Sequence, residues 1–236
     1  FIISSLFFLV GLIDDIKNLN AYFKLFITSI ILIIFLSFSD TLKINVLYFE
    51  TLNKNIEFNN SFLNIFFSSL CILLLANALN LSDGINGLAS GIATIWAFTL
   101  SMLLENSTQI YFIILAIFLG INTYKIYQGK FFLGDSGTLF LGSFIGLLTI
   151  YVYGNLSYRG FVIPAEKIFL FFIVPGIDMF RLFLIRISKA KDPFSGDLNH
   201  LHHYLISKFS LKITLIIYWG IIIINILIAY LFDKSL

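Results

Sequence analysis

Cys71 is the only cysteine in this sequence, so an internal disulfide and a cysteine metal cluster are both excluded. Charge is nearly as scarce. Only 12% of the residues are charged, where a soluble domain of this size would carry about twice that fraction. The net charge is +2 and no basic stripe is present, which argues against a nucleic-acid partner. No Gly-x-x-x-x-Gly-Lys-Ser/Thr loop occurs, which excludes a P-loop ATPase, and no Gly-x-Ser-x-Gly elbow, which excludes an α/β-hydrolase. Pro/Gly/Ser-rich linkers, low-complexity blocks, obvious repeats and a cleavable signal peptide are also missing.

The chain is instead 59% hydrophobic, with a mean hydropathy of +0.96. Apolar runs lie near residues 1–13, 22–39, 62–79, 88–104, 110–127, 137–153, 166–185 and 211–232. Apart from the first, they are long enough to cross a hydrocarbon core as helices. A membrane barrel would need short alternating stretches, and runs such as Ile213 to Ile217 do not alternate. The expected fold is all-α: a polytopic integral membrane helical bundle of about eight segments, forming one domain over residues 1–236. The first run is too short to span and the chain opens on Phe1 inside it, so a truncated N-terminus is expected.

Alternating the segments places links 14–21, 80–87, 128–136 and 186–210 on one side. Links 40–61, 105–109 and 154–165 fall on the other, with the C-terminus. Lys17, Lys24, Lys125, Lys130, Arg181, Arg186, Lys189, Lys191, Lys208 and Lys212 accompany the first set. That excess makes the first side cytoplasmic. Asp14, Asp15, Asp83, Asp135, Asp178, Asp192 and Asp197 lie there too, as do all the histidines. Glu50, Glu57, Glu105 and Glu166 lie opposite. Charges near a bilayer are costly and usually functional, and acids converging on one face suggest a divalent cation.

Four polar clusters stand out on that face. Asp14 and Asp15 are adjacent carboxylates at a helix end, suited to Mg²⁺ or to general-base work, although a solvated helix end would look the same. Asn77, Asn80 and Asp83 recur every three residues, one helical face if the helix continues, before Gly84 and Gly87. These glycines permit a tight turn or close approach to a phosphate or sugar. Asp135, flanked by Gly134 and Gly137, opens a predicted helix whose free N–H groups can hold an anion; an N-cap role is the plainer alternative. Lys130 nearby could meet phosphate. Finally, His200 and His203 share a predicted helical face while His202 points elsewhere. A His trio with an Asp suits zinc, hydrogen bonding to a diphosphate, or proton transfer.

In this order, the Asp14-Asp15 pair, Asn77-x-x-Asn80-x-x-Asp83-Gly84-x-x-Gly87-Leu88, Phe132-Leu133-Gly134-Asp135-Ser136-Gly137 and His200-Leu201-His202-His203 resemble the polyprenyl-phosphate N-acetylhexosamine-1-phosphate transferases, glycosyl transferase family 4. The resemblance covers nearly the whole chain. It implies transfer of an N-acetylhexosamine 1-phosphate from a UDP-sugar to undecaprenyl phosphate, giving undecaprenyl-diphospho-sugar and UMP. This is the first membrane step of cell-surface polysaccharide (O-antigen, teichoic acid, capsule) synthesis. It further implies Mg²⁺ (or Mn²⁺), a multi-pass protein of the bacterial inner membrane with a cytoplasmic active site, and membrane lipids around it; a homodimer stays open.

Carried onto this sequence, the resemblance makes Asp14, Asp15, Asp83 and Asp135 catalytic, with Asp135 and Asp83 on the metal. Asn77, Asn80, Asn122, Lys130, Arg186, His200, His202 and His203 bind substrate. His-Leu-His-His-Tyr after Pro193-Phe194 resembles the WecA/TagO-like branch, whereas the peptidoglycan branch (MraY) carries three consecutive His followed by Phe-Glu. The chain departs from the family in starting after its usual first cytoplasmic loop, so two upstream helices, about ten in all, are expected in the complete protein. It also has Gly196-Asp197-Leu198 where many relatives carry Pro-Asp-Arg. Other readings are a phospho-MurNAc-pentapeptide transferase, a transporter, which predicts mid-membrane acids and an inverted repeat, and a zinc hydrolase, which predicts tightly bound zinc.

Overall fold

The computed structural model describes residues 1–104, 106–130, 133–158 and 163–231. Glu105, Phe132, Arg159, Asp233 and Lys234 lie outside the described residues. The expected segments appear as helices: α1 (Ile2–Lys17), α2 (Ala21–Ser37), α3 (Ser61–Leu81), α4 (Leu88–Ser101), α5 (Asn106–Tyr127), α6 (Gly134–Tyr158), α7 (Ala165–Ser188), the short α8 (Leu201–Ile206) and α9 (Leu211–Leu231). By length and composition α3, residues 134–154 of α6, α7 and α9 can cross a membrane, while α2, α4 and residues 112–127 are shorter apolar helices. The protein is a polytopic membrane helical bundle. Its outer face is apolar, with Phe23, Phe26, Phe66, Ile177 and Ile224 among the exposed side chains. That arrangement is stable only where the solvent is hydrocarbon.

The apolar interior falls into two main parts. Phe7, Leu32, Leu36, Ile72 and Leu139 join α1, α2, α3 and α6. Trp96, Ile92, Leu100, Tyr218 and Phe171 join α4, α9 and α7. The Trp96 indole N–H donates to the Phe171 carbonyl at 2.9 Å, satisfying its one polar atom inside the core. Small residues let backbones meet: Gly142 of α6 lies against the Ala76 backbone of α3.

The helix ends differ from expectation where capping decides. Asp14 and Asp15 stand in the last turn of α1, which the apolar pattern ended at residue 13. That helix stops at Asn18, whose left-handed φ of 49° lets its N–H return to the Asp14 carbonyl. In the link 40–61, Val46–Phe49 and Lys54–Glu57 pair antiparallel as β1 and β2, a small exception to the all-α expectation. This hairpin docks on the far end of the bundle. There the Tyr48 N–H donates to the Tyr153 hydroxyl and the Thr51 N–H to Glu166.

Candidate active site

At the opposite end from the hairpin, the C-terminus of α1, the N-terminus of α2, the C-terminus of α3 and the N-terminus of α6 meet. Their meeting depends on Gly11, which rests against the backbone of Asp135 and Ser136 and brings the end of α1 onto the start of α6. The Lys24 ammonium bridges Asp14 at 2.5 Å and Asp135 at 2.6 Å. The other Asp14 oxygen accepts the Leu19 N–H at 2.6 Å. Asn80 donates to Asp135 at 2.9 Å and to the Thr138 hydroxyl at 2.8 Å. Asp14, Asn80 and Asp135, taken from three separate sequence clusters, therefore form one hydrogen-bonded unit.

Asp15 does something different from its neighbour. Its two oxygens accept the N–H groups of Asp135 and Ser136 at 2.8 and 3.0 Å, so it occupies the N-terminus of α6. Unpaired N–H groups and the helix dipole attract an anion there, and this chain supplies that anion itself. Asp83 lies in the turn after α3. Burial, reinforced by the carboxylates of Asp135 and Asp15, pushes its pKa up to about 7, although the Gly134 N–H partly compensates. Lys24 thus bridges Asp14 and Asp135, while Asp15 and Asp83 lie on the Asp135 side of the cluster.

The second half of the site is the histidine loop. Gly84, next to Asp83, touches the rings of His202 and His203 so closely that a Cβ there would collide with His202 Nε2. His200 stacks on His202 with centroids 5.4 Å apart and planes 12° from parallel. The centroids of His202 and His203 are 4.2 Å apart. The helical spacing that set His202 apart from the other two fails because His200 is the residue before α8, with extended backbone, so all three rings cluster. His202 is 1% exposed, and neither ring nitrogen has a partner among the described residues. Burial, then the neighbouring His203 and His200, push it down to about 4. Burial and His200 also lower His203.

His202 takes up a proton in the unfolded chain below about 6.5 but in the fold only below about 4, so acidification through this window favours unfolding. The destabilisation is absent above about pH 6.5 and grows as the pH falls toward about 4. His202→Gln should therefore flatten the loss of thermal stability between pH 7 and pH 4.5. Equal wild-type and variant slopes would show that the ring is not held neutral.

Other expected site residues stand apart. Asn77 donates to its own helix at the Leu73 carbonyl, and Asn122 on α5 does the same at Phe118. Lys130 is exposed in the turn after α5. Arg186 is buried and holds the histidine loop, donating to Asp197 at 2.8 Å and to the Pro193 carbonyl at 2.9 Å. Against the cost of burial, the Asn199 N–H and Arg186 keep Asp197 below the usual carboxylate range.

In the sequence Lys24 and Asp178 stand only among the charges, with no role in the four clusters. Each had a signal: Lys24 is a lysine in the first turn of an apolar helix just after Asp14-Asp15, and Asp178 is a lone acid inside apolar α7. Among the described residues no three His, Cys, Asp or Glu are placed to hold a metal together.

Residues 1–153 match the family model described as glycosyl transferase family 4. A probable undecaprenyl-phosphate N-acetylglucosaminyl 1-phosphate transferase of Bacillus subtilis is 31% identical over 58% of this chain and 39% of its own length. An undecaprenyl-phosphate alpha-N-acetylglucosaminyl 1-phosphate transferase of Thermotoga maritima is 29% identical over 92% of this chain and 64% of its own. A phospho-N-acetylmuramoyl-pentapeptide-transferase of Staphylococcus carnosus is 30% identical over 84% and 64%. The chain spans 39% and 64% of the length of the first two of these relatives. With the matched segment carrying Asp14, Asp15, Lys24, Asn80, Asp83 and Asp135 in one connected site, the chain belongs to glycosyl transferase family 4.

Proposed function

We propose that this protein moves an N-acetylhexosamine 1-phosphate from a UDP-sugar to undecaprenyl phosphate, releasing UMP, at the cytoplasmic face of a bacterial inner membrane. The observation that carries this reading is the junction of the Asp14–Lys24–Asp135–Asn80 unit with the Asp83–Gly84 turn and the histidine loop at one end of a membrane bundle. A lipid phosphate approaching between the helices and a nucleotide diphosphate arriving from water would meet at such a place. The histidine ending, His200-Leu201-His202-His203-Tyr204, favours an N-acetylhexosamine donor over a MurNAc-pentapeptide donor.

Phosphoryl transfer needs positioning and charge neutralisation more than covalent help. The donor set fits Mg²⁺. Asp83 and Asp135 offer only hard oxygen ligands, and Asp83, raised chiefly by burial, is raised further by the carboxylates of Asp135 and Asp15. When bound, the ion would neutralise charge on the diphosphate. Asp14 has an oxygen on Leu19 N–H and another on Lys24, so it is held in one orientation. That suits aligning the lipid phosphate better than deprotonating it, because a phosphate monoester already loses most of its second proton near pH 7. Lys24 limits repulsion between Asp14 and Asp135. His202 and His203, neutral at pH 7, line the diphosphate side.

The test is an assay of UMP release by the purified protein with undecaprenyl phosphate and, in turn, UDP-GlcNAc, UDP-GalNAc and UDP-MurNAc-pentapeptide. Turnover with an N-acetylhexosamine donor and Mg²⁺ is expected. Turnover with the pentapeptide donor alone would move the protein to the peptidoglycan branch, and no UMP from any donor would refute the reading.

A further inference from the structure

Asp178 belongs to none of the four motif clusters, yet it organises the histidine loop from inside α7. It is buried. One oxygen lies 2.9 Å from His200 Nδ1. The other accepts from Arg181 Nη2 at 2.9 Å. Both lie within 3.2 Å of the Leu201 N–H. Arg181 Nη2 also donates to the Asn199 carbonyl at 2.7 Å. Residues 199, 200 and 201 are thus all pinned to one point on α7. His200 Nε2 makes no hydrogen bond among the described residues, and the ring stacks on His202 beside the Asp83–Gly84 turn.

We infer that Asp178 is a positioning residue that sets the tautomer of His200. A carboxylate cannot donate, so a hydrogen bond at 2.9 Å requires the proton to sit on Nδ1. Arg181 holds the other oxygen of the same carboxylate, which fixes the direction in which Asp178 meets the ring. With Nδ1 donating to Asp178, the neutral form of the ring carries its lone pair on Nε2, held in orientation by Asp178 and by its stack on His202. Its partner is a hydroxyl or amide N–H of the donor substrate and not a bare phosphate oxygen, which two acceptors facing each other would repel. This role rests on the transferase reading for the identity of that substrate, but the tautomer itself does not.

The test uses ¹⁵N-histidine-labelled protein in detergent micelles, with the His200 signals assigned by their loss in His200→Gln. Long-range ¹H–¹⁵N spectra should show His200 protonated on Nδ1 alone. Protonation on Nε2 would overturn the proposal whether or not the Asp178 variants fold. Asp178→Asn can both donate and accept, so it should mix the tautomers and lower kcat by about 10–100-fold. Asp178→Glu should recover part of both. Wild-type tautomer and kinetics in Asp178→Asn would also overturn the proposal. UDP-GlcNAc should shift the Nε2 resonance, whereas inorganic pyrophosphate should leave Nε2 unprotonated; protonation by pyrophosphate would refute the acceptor role. A correct tautomer with no response to UDP-GlcNAc would instead count against the transferase reading and leave the Asp178–His200 pair in place.

Discussion

Asp135→Asn should abolish UMP release, by about 10³-fold or more, while leaving the bundle folded. The two Asp135 carboxylate oxygens have different partners. One accepts from Asn80 and the other from Lys24. An asparagine keeps the shape and one acceptor, so the Asn80 contact survives. Lys24 retains Asp14 at 2.5 Å, so no charge is left buried alone. What disappears is a negative charge at the point where three of the motif clusters meet. If that charge helps to hold Mg²⁺ against the diphosphate, its loss removes transition-state stabilisation of about 4 kcal/mol, which is about 10³-fold in rate. The melting temperature should move by only a few degrees. Asp40→Asn is the matched control: Asp40 pairs with Lys43 on the hairpin side and should keep full activity. Retained turnover in Asp135→Asn with an unchanged Mg²⁺ requirement would remove the metal role from this residue.

Gly11→Ala should damage both fold and activity. A Cβ at Gly11 would stand 2.5 Å from the Asp135 carbonyl oxygen and from Ser136 Cα. Both are backbone atoms in the first turn of α6, so no side-chain rotation relieves the clash and α1 must move away from α6. Overpacking of this kind costs about 1–3 kcal/mol, or roughly 2–12 °C in melting temperature at this chain length. The same displacement carries Asp14 and Asp15 away from Asp135. A misplacement of about 1 Å can cost about 10²-fold in rate. Gly176→Ala provides the contrast, since a Cβ there meets nothing within 4 Å, and it should be neutral or slightly stabilising. Melting curves and UMP release on the two variants decide the matter. A Gly11→Ala protein as stable and active as wild type would mean that the α1–α6 approach is not needed.

The membrane bundle was legible in the sequence because burial in lipid demands long apolar helices and little else, and composition reports that directly. The shared end of the acids was legible too: charged residues are expelled to helix ends, and Asp14, Asp15, Asp83 and Asp135 do meet at one end of the bundle. Boundaries slipped at α1, where Asn18 allows a left-handed stop that an apolar pattern does not encode. The hairpin at Val46–Phe49 and Lys54–Glu57 was missed because short paired strands carry no strong periodic signal.

By itself, the sequence determined which residues were available at that end: Asp14, Asp15, Asn80, Asp83, Asp135 and the three histidines all lie at or near the converging helix ends. It could not assign their work, because side chains in consecutive or regularly spaced positions receive different partners once helices pack. Asp14 met Lys24, while adjacent Asp15 was turned onto the start of α6. Asn80 reached Asp135, while Asn77 folded back on its own helix. Asp178, an apparent stray, became the anchor of His200. Only tertiary structure decided these roles, since each depends on distances between elements far apart in the chain, and those distances are set by close contacts such as Gly11 on Asp135 and Gly84 on His202.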